Sequence, residues 1–290
     1  MVRLTLGLLP RLRELANYEQ VRMIEIKLSQ GAKPGKGGIL PAAKVTDEVA
    51  RIRGIPKGHD SISPNRHLEI QDARSLLDFI ARVRDISGRP TGFKTVFGGY
   101  EWLHEVFEEI HRRGLDSAPD FITVDSGDGG TGAAPMTLLD NVGLPVRESL
   151  PHVVDLLQEH GLRERIKVVA SGKMINPVGV AWALCVGADF VNSARGFMFA
   201  LGCIQAMKCN KNTCPTGITT HNRNLQRGLV VTDKAERVAR YAMGMEKEVA
   251  VIAHSCGVAE PRLLRREHCR VVQTNGQTAV LSQVFPDPAA

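Results

Sequence analysis

Three cysteines, Cys203, Cys209 and Cys214, fall within one short stretch of the chain. Thiolates at this spacing in a helix-to-loop segment can hold an iron–sulfur cluster through three protein-ligated irons. Pro215 follows the last of them, much as proline closes ferredoxin cysteine runs. A zinc site would ask for a fourth close ligand, and the nearest candidate is His221. The plainer alternative is three buried thiols packed as small hydrophobes. Cys185, Cys256 and Cys269 are scattered. Six cysteines in 290 residues do not make a secreted disulfide framework. The distribution suits a cytoplasmic protein with one metal or cluster site and ordinary buried thiols.

Three glycine-bearing loops form the second group. Ser126–Pro135 reads SGDGGTGAAP directly after a strand-like run, and Gly129 and Gly130 at its centre would let backbone N–H groups approach a ligand. No Gly-Lys-Ser/Thr follows, so it is not a Walker A loop, and it does not match the dinucleotide fingerprint. A flexible turn is the alternative. Ser171–Gly172–Lys173 and Ala194–Arg195–Gly196 end two consecutive strand-like runs. In (β/α) barrels a phosphate commonly sits on such loops, and Arg195 would add a fork of donors. Routine strand-to-helix turns would look similar. Lys94 lies inside an apolar run, where it must snorkel to solvent or serve a site. In a flavin site its ammonium would stabilise the charge of the reduced ring.

The elements that must position these groups alternate. Strands are predicted at Met23–Leu28, Gly92–Val96, Phe121–Asp125, Ile166–Ala170 and Asp189–Asn192. Helices are predicted at Ala73–Asp85, Glu101–Arg113, Leu150–His160, Pro177–Val186 and Phe197–Met207. Uninterrupted apolar strands alternating with helices argue for parallel βα units, and the polar, glycine-rich residues cluster at the strands' carboxyl ends. The fold class is therefore α/β, a parallel (β/α) TIM-barrel type. Five strands are too few for eight, so the barrel is expected to be incomplete at the N-terminus. Residues 1–232 are expected to form the partial barrel, with the iron–sulfur segment at 203–214. A C-terminal helix and short tail, 233–290, would pack on it, with a hairpin turn at Asn275–Gly276.

Composition excludes several classes. The hydrophobic fraction of 43% with 23% charged residues is that of an ordinary globular chain. No run approaches the ~20 apolar residues of a membrane span. The start lacks a small-residue cleavage site, and its apolar run is broken by Pro10. The net charge of +6 is spread out, and no aromatics interleave the basic run at Arg262–Arg270, so no nucleic-acid partner is expected.

The segments EIKLSQGAKPGKGGILP, SGDGGTGAAP, ARGFMFALGCIQAMKCNKNTCPTG and RLLRREHCRVVQ resemble the FMN- and cluster-binding synthase domain of the glutamate synthases, especially the short stand-alone FMN-binding forms. The resemblance runs from about Ile24 to near the C-terminus. It implies a TIM barrel binding FMN beside a [3Fe–4S] cluster on Cys203, Cys209 and Cys214. Gln30, Lys94 and the two phosphate loops match segments lining the flavin pocket. Lys27 and Lys33 fall at the 2-oxoglutarate end and are the candidate catalytic pair. The implied reaction is reductive amination of 2-oxoglutarate to glutamate. Its electrons would come from ferredoxin or an NAD(P)H-dehydrogenase subunit and relay through the cluster. The family's upstream flavin segment is not found in Met1–Tyr18. No glutaminase nucleophile is present, since Met1 precedes Val2, so ammonia would come from solution or a glutaminase subunit. An N-methylglutamate synthase-like subunit, or a truncated non-catalytic fragment, fits the same motifs.

Overall fold

The computed structural model describes residues 9–33, 35, 38–128 and 134–288. Helix α1 (Leu9–Ala16) leads into strand β1 (Ile24–Lys27). An excursion follows: β2 (Ile39–Leu40), α2 (Asp47–Arg53) and β3 (Ser61–Ile62), with β2 and β3 antiparallel. Then come α3 (Ala73–Ser87), β4 (Thr91–Val96), α4 (Glu101–Arg113), β5 (Phe121–Asp125), α5 (Val146–Glu159), β6 (Lys167–Ser171), α6 (Pro177–Val186) and β7 (Phe190–Asn192). Short helices α7 (Arg195–Ala200) and α8 (Arg223–Gln226) precede the long α9 (Val231–Ser255). The chain closes with a hairpin of β8 (Arg270–Val272) and β9 (Thr278–Val280), then α10 (Leu281–Val284).

Strands β1, β4, β5, β6 and β7 form one parallel sheet in that order. The order never reverses, so the sheet has no switch point of the doubly wound kind. It is the wall of a (β/α) barrel, with the predicted strands all present. The period-two alternation of a strand then assigns the faces. Ile26, Phe93, Ile122 and Val168 are register partners in the hydrophobic core under the helices. One residue on, Lys27, Lys94, Thr123 and Val169 are partners on the opposite, barrel-interior face. The interior face is polar: Thr123 Oγ1 donates to the Glu25 carboxylate (2.7 Å).

The helices form where their start and stop signals predict. Asp72 caps α3, accepting from Ser75 N (2.7 Å), and Gly88 ends it at φ 61°. Asn176 caps α6 by accepting from Gly179 N (2.8 Å), with Pro177 in its first turn. Leu76 and Ile80 of α3, Leu103 and Phe107 of α4, and Leu150 and Leu157 of α5 are fully buried. Each such side chain contributes about 1.5–3 kcal/mol of burial.

Two helices differ from expectation by more than about two residues at a boundary. Helix α5 begins one turn before Leu150, at Val146, with Pro151 inside it. Helix α7 stops at Ala200, and the residues from Cys203 to Cys214 are turns rather than the end of a helix. The C-terminal tail is held by Arg266, whose buried guanidinium donates to Phe285 O (3.0 Å), Pro286 O (3.2 Å) and the Asp155 carboxylate on α5. Among the described residues no helix is long and apolar enough to cross a membrane.

Candidate functional site

The carboxyl ends of the parallel strands meet around Asp125, the last residue of β5. Its carboxylate accepts from Gly31 N (2.9 Å) and Ser171 Oγ (3.1 Å) and lies 3.5 Å from Lys94 Nζ. Lys94 also donates to Ser171 Oγ (3.3 Å). Lys94 therefore does not snorkel to solvent: it is held on the interior face by a carboxylate and a hydroxyl. The loops pack backbone to backbone here. A methyl group on Gly31 would lie 1.7 Å from Ser126 O, so only glycine permits this approach. Gly172, at φ 137°, passes against the side chain of Ser126, whose Cβ would lie 2.2 Å from a methyl group there. Ser126 Oγ accepts from Val146 N (2.8 Å) and donates to Asp128, whose carboxylate pairs with Lys173 (3.3 Å).

These loops form one wall of a cleft of about 360 Å³, a volume in the usual range of roughly 300–1,000 Å³ for ligand sites. The wall contains Gln30, Lys94, Asp125, Ser171–Lys173, Asn192, Ala194 and Arg195. The rest of the lining includes Cys203, Cys209 and Cys214 with the intervening Ile204–Lys208 and with Pro215, Thr216 and Thr219. The strand-end loops and the cysteine segment, predicted from separate signals, thus enclose the same space. Gly196 does not line it. Its missing side chain instead lets Tyr241 of α9 approach, since a methyl group would lie 1.8 Å from the Tyr241 hydroxyl. Gly129 and Gly130 lie outside the described residues.

The cysteine segment is held in an unusual backbone. Gln205, Met207 and Asn212 have φ of 54–59°, and Gly202 has φ 99°. For L residues that region costs roughly 1–2 kcal/mol each, so surrounding contacts must over-determine the conformation. Lys44, from the excursion after β2, supplies two of them by donating to Cys209 O (2.9 Å) and Thr219 O (2.8 Å). Burial raises the Cys214 thiol, but hydrogen bonds from Thr216 and Thr219 outweigh it and bring the thiol down to about 6. That shift favours the thiolate, the form that binds metal. Among the described residues no three His, Cys, Asp or Glu side chains converge to hold a single metal ion. A cluster with one thiolate per iron does not require three thiols to meet at one point.

Lys27 and Lys33 lie in an adjoining cavity of about 260 Å³, lined also by Arg53, Ser61, Ser63 and Asn65. Gln30 borders both cavities and accepts from Lys27 Nζ (2.7 Å). Burial lowers the Lys27 pKa, and the neighbouring Lys94 and Lys33 charges lower it further. Sequence reasoning missed Asp125 and Lys44. An aspartate closing a strand of buried residues was a usable signal for the first. Nothing local marks Lys44, whose partners are distant in sequence.

A family model, the conserved region in glutamate synthase, matches residues 15–259. The glutamate synthase large subunit-like protein YerD of Bacillus subtilis is 44% identical over 253 residues, covering 87% of this chain and 48% of that protein. An archaeal glutamate synthase [NADPH] of Methanocaldococcus jannaschii is 36% identical over 254 residues, covering 87% and 49%. The chain spans about half the length of these relatives. A solved flavocytochrome b2 with sulfite bound shares the fold with a TM-score of 0.50 at 15% identity, over 91% of this chain and 51% of that one. The motifs, the barrel wall and the extent of the family match lead to one assignment: the chain belongs to the glutamate synthase family.

Proposed function

We propose that the cleft binds FMN, with a [3Fe–4S] cluster on Cys203, Cys209 and Cys214 in its lining, and that the protein serves the reductive amination of 2-oxoglutarate to glutamate. The observation that carries this reading is the shared cleft, which has two phosphate-type loops and three cysteines in the lining of one space. The residues fit a flavin phosphate. Lys173 and Arg195 bring cationic side chains, and Gly172 leaves backbone rather than a side chain at the wall. Bound FMN would supply hydride transfer to the imine of ammonia and 2-oxoglutarate, and the cluster would supply one-electron relay from ferredoxin or an NAD(P)H-dehydrogenase subunit.

The chain's own residues do the rest. Lys94, fixed by Asp125 and Ser171, places a positive charge on the cleft wall. Lys27 and Lys33 present a second cationic group one cavity away, separated by Gln30. A carboxylate entering there would add negative charge beside the crowded lysines, which favours a dicarboxylate substrate with its reacting carbon toward the larger cleft.

Titration of FMN into the protein tests the reading through quenching of flavin fluorescence. Saturation near one FMN per chain is expected, and no saturable binding would defeat the proposal. In Lys94→Met protein that still binds FMN, the flavin should be harder to reduce. Loss of about 1.4 kcal/mol of charge stabilisation would lower a two-electron potential by roughly 30 mV. An unchanged potential would make Lys94 a structural residue.

A further inference from the structure

The turn that ends the cysteine segment carries two hydroxyls, on Thr216 and Thr219. Thr216 Oγ1 lies 3.4 Å from Cys214 Sγ, within hydrogen-bond reach of sulfur. The Thr219 hydroxyl oxygen is buried and bonds to no oxygen or nitrogen among the described residues. Both threonines line the cleft with Cys214. A buried hydroxyl left unpaired costs about 1–3 kcal/mol, so it marks a place where an acceptor belongs. Cys203 and Cys209 line the same cleft, yet among the described residues no side chain bonds to either sulfur.

The turn itself is fixed, which sets the position of both side chains. Lys44 donates to Thr219 O (2.8 Å), Thr220 Oγ1 donates to Asn212 O (2.6 Å), and Gly217 N donates to Cys214 O (3.2 Å). Gly217, at φ 78°, passes close to Leu225, whose carbonyl oxygen would lie 2.5 Å from a methyl group there.

Resting on the cluster reading above, we propose that Thr216 and Thr219 raise the reduction potential of the cluster by donating hydrogen bonds to its sulfurs, Thr216 to that of Cys214. They are positioning residues: neither binds iron, and each acts through a sulfur. A thiolate has no proton to give, so in the bond to Cys214 the threonine hydroxyl is the donor. Reduction adds one electron to the cluster, and the sulfurs take part of its charge. Each O–H···S bond is then stronger in the reduced form than in the oxidised one, as for any donor facing a growing negative charge. Hydrogen bonds to cluster sulfur therefore favour reduction. With no equivalent side-chain donor at Cys203 or Cys209, the Thr216 bond acts on one ligand of three.

The full chain is purified anaerobically with its cluster and poised with redox mediators, and the oxidised cluster is counted by its EPR signal. At the parent's midpoint the oxidised and reduced forms are equal. Thr216→Val and Thr219→Val should each raise the oxidised-to-reduced ratio there about threefold, and the double variant about tenfold, a lowering of roughly 59 mV for a one-electron couple. Thr216→Ser protein keeps the hydroxyl and should keep the parent's ratio. Iron content should match the parent in every variant, since neither threonine is a ligand. Equal ratios in the parent and the double variant, or a serine variant displaced as far as the valine one, would overturn the proposal. So would iron loss from any of these variants, which would make the threonines part of cluster retention rather than of its potential. A parent protein that holds no iron would instead defeat the cluster reading itself, and this proposal with it.

Discussion

Cys209→Ser protein is expected to emerge from anaerobic purification without the brown colour and iron of the parent, whereas Cys256→Ser protein should keep both. A [3Fe–4S] cluster on three thiolates has no spare protein ligand, so one loss removes the cluster rather than weakening it. Cys209 is the middle cysteine of the segment, and Lys44 anchors its carbonyl (2.9 Å). The serine variant keeps that backbone anchor and changes only the ligand atom. The parent should carry about three irons per chain. Cys256, by contrast, caps the end of α9, donates to His268 O (3.9 Å) and does not line the cleft. Equal loss of iron from both variants would mean that iron content reports folding, and the ligand assignment would fail.

The largest stability effect is expected at Arg266. Its guanidinium is almost wholly buried, bonds to two tail carbonyls and pairs with Asp155, with Asp287 at 3.5 Å. Removing one partner of a buried pair leaves an uncompensated charge, at about 3–5 kcal/mol. Arg266→Met should cost that much in denaturant unfolding, and Asp155→Asn in the same background should recover part of it. The pH dependence distinguishes this account from simple loss of packing. Burial raises the Asp155 pKa and Arg266 partly opposes it. An acid whose folded pKa is raised holds its proton more tightly in the folded state. Its ionisation therefore costs stability as pH rises from the unfolded value toward the folded one. Without Arg266 the raised pKa rises further, so Arg266→Met protein should regain stability relative to the parent as pH falls toward 4. A deficit independent of pH would point to packing alone.

The sheet was legible in the sequence because its strands are runs of apolar residues set between helical periods, as Phe121–Asp125 illustrates. Even Lys94 did not hide β4, since its neighbours are buried on both sides. The short elements were not legible. Strands β2 and β3 have two residues each and exist only as each other's partners. Helix propensity carried the expected helix on to Met207, but Gly202, Gln205 and Met207 turn left-handed instead. That conformation comes from tertiary anchors such as Lys44, which no local pattern encodes. The candidate residues were legible as segments that come together in space: Gln30, Lys94, Ser171–Lys173, Ala194, Arg195 and the three cysteines line one cleft. Gly196 was chosen for the same glycine signal, but it serves the packing of α7 against Tyr241. Asp125, which ties Gly31 after β1 and Lys94 of β4 to Ser171 at the end of β6, carries only the signal of an acid closing a buried strand.

The most direct test of the proposed chemistry is a single turnover that needs no electron-donor partner. Protein loaded with FMN and iron is reduced anaerobically by light with EDTA as the sacrificial electron donor, then mixed with 2-oxoglutarate and ammonia while flavin absorbance is followed and glutamate is counted. The shared cleft predicts that the flavin reoxidises only when both substrates are present, with one glutamate formed per flavin. Flavin that stays reduced in the presence of both, or that reoxidises without glutamate, would contradict it.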